Sequence, residues 1–296
     1  MPQAVRLHIN SFADSATFGR ALARHLRIAC SDIAVHRFPD GESLVRVQAP
    51  AAHHAVVVRT LDDPNAKLVE TVLAADALRR AGARRVTLVA PYLPYMRQDS
   101  VFHPGEPVSQ RVIGDWLGRS FDAVFTIEAH LHRVRTLAAV VPGRAASISA
   151  APALAAWLQR RHSRTVVVGP DAESRPWIRA IARRANLPWI VCEKRRLGDR
   201  SVRVKVPSLP DCRRAVIVDD IASSGATLAA VARALRGAGI RAVEAVVVHA
   251  LFSPAALTRI RGAGVRHVLS CDTIAHSTNA IGTAALLAPV VRRRFT

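Results

Sequence analysis

Residues 55–93 and 215–252 are two versions of one pattern, and this repeat constrains the fold more than any other feature. Each version opens on a short, mostly β-branched apolar run, Ala55-Val56-Val57-Val58 and Ala215-Val216-Ile217-Val218. Each then crosses a loop into an Ala- and Leu-rich helical stretch. The helical stretches stop at matching turns, Ala81-Gly82 and Ala238-Gly239, before a second apolar run. Glycine just past the last turn is a common helix stop. Strand, helix and strand in this order form a crossover unit, which implies parallel strands. Continuous apolar runs are what strands covered on both faces look like. The expected class is therefore α/β, with two tandem domains of one type, each a mainly parallel sheet flanked by helices. Pro142, Gly143 and Pro152 punctuate the middle of the chain. They put the boundary around 143–153, and domains of 1–146 and 147–296 are expected.

The copies differ where their first strands end. The second has two adjacent carboxylates, Asp219 and Asp220, while the first has Arg59 and Thr60. After the acids comes a small-residue loop, Ala222-Ser223-Ser224-Gly225-Ala226-Thr227, and a helical pattern from Leu228. A small loop leading into a helix N-terminus is an anion-binding arrangement, with backbone N–H groups and the helix dipole facing the ligand. Carboxylates one sugar's width away accept hydrogen bonds from vicinal hydroxyls or help to hold Mg²⁺. The order of acids, loop and helix suggests a phosphorylated sugar in the second domain, against the plainer alternative of a solvated acidic turn. Ligands of open parallel sheets sit beyond the carboxyl ends of the strands. The first domain is then expected to supply the other substrate's site, with the chemistry in the cleft between domains.

The stretch 215–228 resembles the phosphoribosyl-diphosphate (PRPP) motif of type I phosphoribosyltransferases and of PRPP synthetases, also called ribose-phosphate pyrophosphokinases. Other segments favour the synthetases. Arg37-Phe38-Pro39-Asp40-Gly41-Glu42 alone reads as a surface turn. It closely matches a synthetase element in which the aromatic stacks on adenine and the acids meet the nucleotide from a neighbouring subunit. Pro91-Tyr92-Leu93-Pro94-Tyr95-Met96-Arg97-Gln98-Asp99 follows the strand Val86–Ala90. An Arg beyond a strand's carboxyl end suits a triphosphate clamp. The segment is similar to the synthetase pattern whose Arg and Gln bind ATP.

His130 and His132, two apart after the run Phe121–Ile127, would share a face of a strand. Such a pair is a weak metal signal by itself. The resemblance makes His130 a holder of the Mg²⁺ of MgATP, with Glu128 where the family has Asp. It makes Asp171, after Thr165–Gly169, the second Mg²⁺-associated residue, although Ala172-Glu173-Ser174-Arg175-Pro176 stands where the family has a glycine-rich turn. Lys194-Arg195-Arg196 opens a basic stretch, 197–206, that reads alone as a solvated charge run. The family has Lys-Arg-Arg there, opening a catalytic loop, so the resemblance gives Lys194 and Arg196 a transition-state role. Two cations suit charge developing on phosphoryl oxygens. His276-Ser277-Thr278-Asn279 resembles a family segment near the chain end and is assigned no catalytic role.

The resemblance covers nearly the whole chain. It implies two phosphoribosyltransferase-like domains and transfer of the β,γ-diphosphoryl group of MgATP to O1 of ribose 5-phosphate, giving PRPP and AMP. Asp219, Asp220, Ser223, Ser224, Gly225, Ala226 and Thr227 are the implied ribose 5-phosphate site. Phe38, Asp40, Gly41, Glu42, Arg97, Gln98 and Asp99 are the implied ATP site, with Mg²⁺ at His130 and Asp171. A homo-oligomer is implied too. A phosphoribosyltransferase that uses PRPP, and a non-catalytic partner of a synthetase, are the alternatives; Ser223, where most synthetases carry an acid, leaves room for the latter.

Composition narrows the remaining classes. The net charge is +20, but the arginines are spread along the chain and aromatics are few, which speaks against nucleic acid and suits phosphorylated substrates. Cys30, Cys192, Cys212 and Cys271 are scattered without a C-x-x-C pair, against a zinc site or disulfide framework. The run Ala284–Val291 is too short to span a bilayer, and no signal pattern opens the chain. A cytoplasmic protein is expected.

Overall fold

The structure is a computed structural model that describes residues 7–131, 133–160, 164–196 and 202–293; for 194–196, 202 and 203 it describes the backbone alone. The chain divides into two compact units. Unit 1 holds 1–149 with 273–275 and 283–296, and unit 2 holds 150–272 with 276–282.

Unit 1 runs β1 (Leu7–Phe12), α1 (Ala16–Leu26), β2 (Cys30–Arg37), β3 (Ser43–Arg46), β4 (His54–Val58), α2 (Pro64–Arg80), β5 (Arg85–Ala90), α3 (Ser109–Ser120), β6 (Ala123–Ile127) and β7 (Arg144–Ile148). Its sheet has seven strands in the order β3-β2-β1-β4-β5-β6-β7. All neighbours are parallel except β2 and β3.

Unit 2 runs α4 (Ala151–Leu158), β8 (Thr165–Gly169), α5 (Arg175–Ala185), β9 (Trp189–Val191), β10 (Glu193–Arg196), β11 (Val202–Lys205), β12 (Arg214–Ala222), α6 (Ala226–Gly237), β13 (Ala242–Ala250), α7 (Pro254–Gly262), β14 (Val265–Cys271) and β15 (Asn279–Ile281). A last helix, α8 (Ala284–Arg292), packs on α1 in unit 1. The unit 2 sheet has six strands, ordered β15-β14-β13-β12-β8-β9, and every neighbouring pair is parallel. Read from β9, that order matches β2-β1-β4-β5-β6-β7 strand for strand. The repeat of the sequence is therefore a repeat of topology. The antiparallel β3 is the addition in unit 1, and the separate β10–β11 hairpin is the addition in unit 2.

Both sheets are apolar on both faces, as parallel sheets under helices must be. Val56, Val57 and Val58 of β4 and Ala215, Ile217 and Val218 of β12 are fully buried. Each Val or Ile so buried contributes roughly 1.5–3 kcal/mol. Two expectations about element ends change. The acids Asp219 and Asp220 lie inside β12 instead of after it, because β13 pairs with β12 as far as Ala222–Ala250 while β8 stops at Ile217–Val168. Helix α6 starts at Ala226, two residues before Leu228. Among the described residues no helix is long and apolar enough to cross a membrane.

Close backbone approach explains two helical glycines. A Cβ at Gly114 would lie 2.0 Å from the Val140 carbonyl oxygen, and one at Gly118 would lie 2.7 Å from that of Pro142. Helix α3 thus seats a glycine edge directly on the chain that precedes β7. Gly114→Ala is expected to lower stability by about 1–3 kcal/mol, as overpacking against backbone does, despite alanine's better helix propensity. Thermal denaturation checks this; an unchanged or raised melting point would contradict the packing described.

Candidate active site

In unit 2 the half-paired end of β12 carries the acids. Past Ile217, β12 has a ladder with β13 but not with β8, so one edge of the strand is open at Asp219 and Asp220. Both residues are half-buried. The Asp220 N–H donates to Asp219 Oδ1 at 3.1 Å, and the Ile221 N–H donates to Asp220 Oδ1 at 2.7 Å. Asp171, just past β8, lies near enough for its charge to act on Asp219. Burial first, then the charges of Asp220 and Asp171, push the Asp219 pKa well above the usual carboxylate range. Asp171 also caps the short 3-10 turn Ala172–Ser174, accepting from the Ser174 N–H at 3.3 Å. The segment that replaces a glycine-rich turn is thus a helical lead into α5.

The loop after β12 exposes Ser223 and Ser224 and buries Gly225. Gly225 has φ +70°, and a Cβ there would meet Ile260 of α7 at 2.7 Å, so this position demands glycine twice over. Arg259 of α7 donates to the Ser224 carbonyl at 2.8 Å and braces the loop. Ala226 and Thr227 form the first turn of α6. Small, exposed residues at the N-terminus of a 12-residue helix make an anion-binding arrangement.

In unit 1 the four nucleotide candidates Phe38, Asp40, Gly41 and Glu42 share the turn between β2 and β3. The Phe38 N–H donates to the Glu42 carbonyl at 2.8 Å and the Gly41 N–H to the Phe38 carbonyl at 2.9 Å. Asp40 closes the turn by accepting from the Glu42 N–H at 3.1 Å. Phe38 is 40% exposed and meets His36 edge-on at 4.7 Å. An aromatic held so far out of a core is available for stacking.

Arg97, Gln98 and Asp99 follow β5, and His130 follows the adjacent β6, so all four stand beyond the same sheet edge. Arg97 is exposed. Gln98 is bound into the loop behind it, donating to the Pro107 carbonyl at 3.2 Å and accepting from the Ser109 hydroxyl. Asp99 pairs with Arg133 at 3.1 Å, which links the segments after β5 and β6. His130 is half-buried and lies past the end of β6, so the strand-face argument for the histidine pair does not hold; His132 lies outside the described residues. Tyr95 at φ +64° and Glu128 at φ +38° adopt left-handed backbone at this edge, and such strain gathers at functional sites. Lys194 and Arg196 lie in β10, paired antiparallel with Val204 and Val202 of β11; their side chains lie outside the described residues.

A charged network at the end of β4 escaped the sequence reading. Arg59, at the position of Asp219, is 3% exposed and Glu70 of α2 is 1% exposed, and they pair at 2.7 Å. Arg59 also pairs with Asp14 at 3.0 Å and lies 3.9 Å over the Phe12 ring. The Thr60 hydroxyl donates to the Thr273 carbonyl at 2.6 Å. The place that holds acids in unit 2 is thus filled in unit 1 by a guanidinium and its partners. The available signal was Glu70, a carboxylate on the helix stripe of Leu68, Thr71, Ala74 and Leu78, all buried.

Among the described residues no three His, Cys, Asp or Glu side chains converge as a ready metal site. Mg²⁺ is ordinarily held by one or two carboxylates, waters and substrate phosphates. Asp219, with Asp220 and Asp171 acting on it, fits that mode, since a cation would offset their charges.

Residues 7–120 match the N-terminal domain of ribose phosphate pyrophosphokinase, and residues 144–283 match the phosphoribosyl transferase domain. A ribose-phosphate pyrophosphokinase of Methanopyrus kandleri is 34% identical over 94% of this chain and 96% of its own. One named ribose-phosphate pyrophosphokinase 2, of Archaeoglobus fulgidus, is 31% identical over 93% and 96%. The fold is similar to that of phosphoribosylpyrophosphate synthetase from Mycobacterium smegmatis, with a TM-score of 0.85 and 24% identity over 98% of this chain and 99% of that one.

A carboxyl whose folded pKa is raised adds stability that is complete below its unfolded pKa, about 3.9, and is lost as pH rises through the folded value. Asp219→Asn is therefore expected to stabilise the Mg²⁺-free protein at pH 8, by about 2–4 °C in melting temperature per kcal/mol gained. The gain is expected to shrink towards pH 4.5. Melting curves at the two pH values check this, and an equal effect at both would contradict the repulsion.

Proposed function

The chain belongs to the ribose-phosphate pyrophosphokinase family, the diphosphotransferases that make PRPP, and we propose how its residues divide that work. The observation that carries the assignment is the asymmetry of the repeat. Two units share one topology, yet among the described residues it is in unit 2 that a strand carries a carboxylate pair near its end, followed by a small-residue loop and a helix N-terminus, while β4 of unit 1 is followed by Arg59 and Thr60. In this reading Ser223, Ser224, Gly225, Ala226 and Thr227 hold the 5-phosphate of ribose 5-phosphate, and Asp219 and Asp220 accept hydrogen bonds from its 2- and 3-hydroxyls. Unit 1 binds ATP. Phe38 lies against adenine, Asp40, Gly41 and Glu42 shape the nucleotide turn, and exposed Arg97 contacts the phosphates. Gln98 and Asp99 hold the segment that carries Arg97, which their bonds to Pro107, Ser109 and Arg133 support.

O1 of ribose 5-phosphate attacks the β-phosphorus, the bond from that phosphorus to the α,β-bridging oxygen breaks, AMP leaves and the O1 proton is released. Lys194 and Arg196 stabilise the charge on the migrating diphosphoryl group. His130 and Asp171 are each candidate holders of Mg²⁺, which would neutralise phosphate charge when bound with ATP. No covalent intermediate is needed, since alignment and charge stabilisation suffice for this class of reaction.

The protein acts as a homo-oligomer in the cytoplasm in this reading. Val69 and Leu73 of α2 and Val112 and Trp116 of α3 are exposed on helices in contact, an apolar face suited to a second copy. The four cysteines are free thiols, as in a reducing compartment.

Phosphorus NMR of purified protein with Mg²⁺, ATP and ribose 5-phosphate is expected to show PRPP and AMP. Lys194→Ala is expected to lower the rate by about 10²–10³, the usual loss for one transition-state charge contact. Ribose 5-phosphate binding without product from the wild type would overturn the assignment in favour of a non-catalytic partner.

A further inference from the structure

Glu70 sits on α2, outside every segment assigned to substrate, yet its carboxylate closes on the nucleotide turn from below. One oxygen, Oε1, accepts from Arg37 Nε at 2.9 Å and from the Ser43 hydroxyl at 2.8 Å. Arg37 and Ser43 are the cross-strand pair that flanks the turn, the last residue of β2 and the first of β3. A single buried oxygen therefore holds both legs of the hairpin at the base of Phe38–Glu42. The other oxygen, Oε2, lies 2.7 Å from Arg59 Nη2. Arg59 is fixed in turn by Asp14 and follows the last residue of β4. A rigid, fully buried ion pair thus connects the hairpin to the central sheet.

The hairpin needs such an anchor. β3 is the edge strand, among the described residues its ladder is with β2 alone, and Leu44 beside the turn is exposed. We propose that Glu70 is a positioning residue for the nucleotide turn, fixing Phe38, Asp40 and Glu42 in their binding geometry through Arg37 and Ser43. This rests on the reading of that turn as the ATP element. The network's charges also balance, with Asp14, Asp62 and Glu70 against Arg37, Arg59 and Lys67. Burial by itself would raise the Glu70 pKa, but the hydrogen bonds from Arg37, Ser43 and Arg59 outweigh it and hold the carboxyl below its usual range.

Three variants of the full-length protein test this by steady-state kinetics. Arg37→Ala with Ser43→Ala releases both legs while leaving the buried Glu70–Arg59 pair in place. It is expected to raise KM for ATP about tenfold, the scale at which a small misplacement of a binding group shows. kcat and KM for ribose 5-phosphate should stay within about twofold. Glu70→Gln, which keeps Arg37, should raise KM for ATP in the same way and so separates anchoring from direct contact by Arg37. Phe38→Ala should also raise KM for ATP, which reports on the turn itself. Unchanged KM for ATP in the double variant, with Phe38→Ala impaired, would overturn the positioning role and spare the ATP assignment. Equal rises in both KM values would reduce the network to general stability and overturn the proposal. No effect of Phe38→Ala would overturn the ATP assignment and this inference with it.

Discussion

A parallel sheet delivers the carboxyl end of every strand to one edge, and the functional layout of each unit follows from that constraint. In unit 2 it puts Asp171, after β8, beside Asp219 and Asp220 near the end of β12. In unit 1 it puts Arg97, after β5, and His130, after β6, beyond neighbouring strands. Charges collected in this way repel, and the backbone that carries them is strained, as the raised Asp219 pKa and the left-handed Tyr95 and Glu128 illustrate. Neither would persist without the buried valines and isoleucines behind them.

One topology carries two different strand ends because the residues at the end of one strand differ. Where unit 2 places the acids of β12, unit 1 places Arg59, which pairs with buried Glu70 and exposed Asp14. Removing one partner of a buried pair typically costs about 3–5 kcal/mol, because the remaining charge is left uncompensated. The strand end that carries acids in unit 2 is thus a structural joint in unit 1, and the joint extends to the hairpin through Arg37 and Ser43. The same end of the same strand carries a pair of acids in one copy and a buried brace in the other.

Much of this was legible in the chain. The paired runs at 55–58 and 215–218, with their Gly82 and Gly239 stops, specify crossover units because only parallel strands accept that order. The succession of acids, small residues and a helix start was legible because it is local, all within about ten residues. Strand and helix ends were less legible. β12 runs four residues past Val218 because β13 lies alongside, and no local propensity encodes a neighbour's length. The histidine pair failed for a related reason: β6 ends at Ile127, so the spacing of two had no strand to act on.

By itself, then, the sequence determined the fold class and the duplicated crossover unit, since each depends on residues close together and on periodicity. The tertiary structure decided what Arg59 and Glu70 do. They are separated by a loop and part of a helix, and Arg37 and Ser43 reach Glu70 from 33 and 27 residues away. Such a network becomes an attraction only when folding brings its members together and strips them of water. Until then each is an ordinary charged residue.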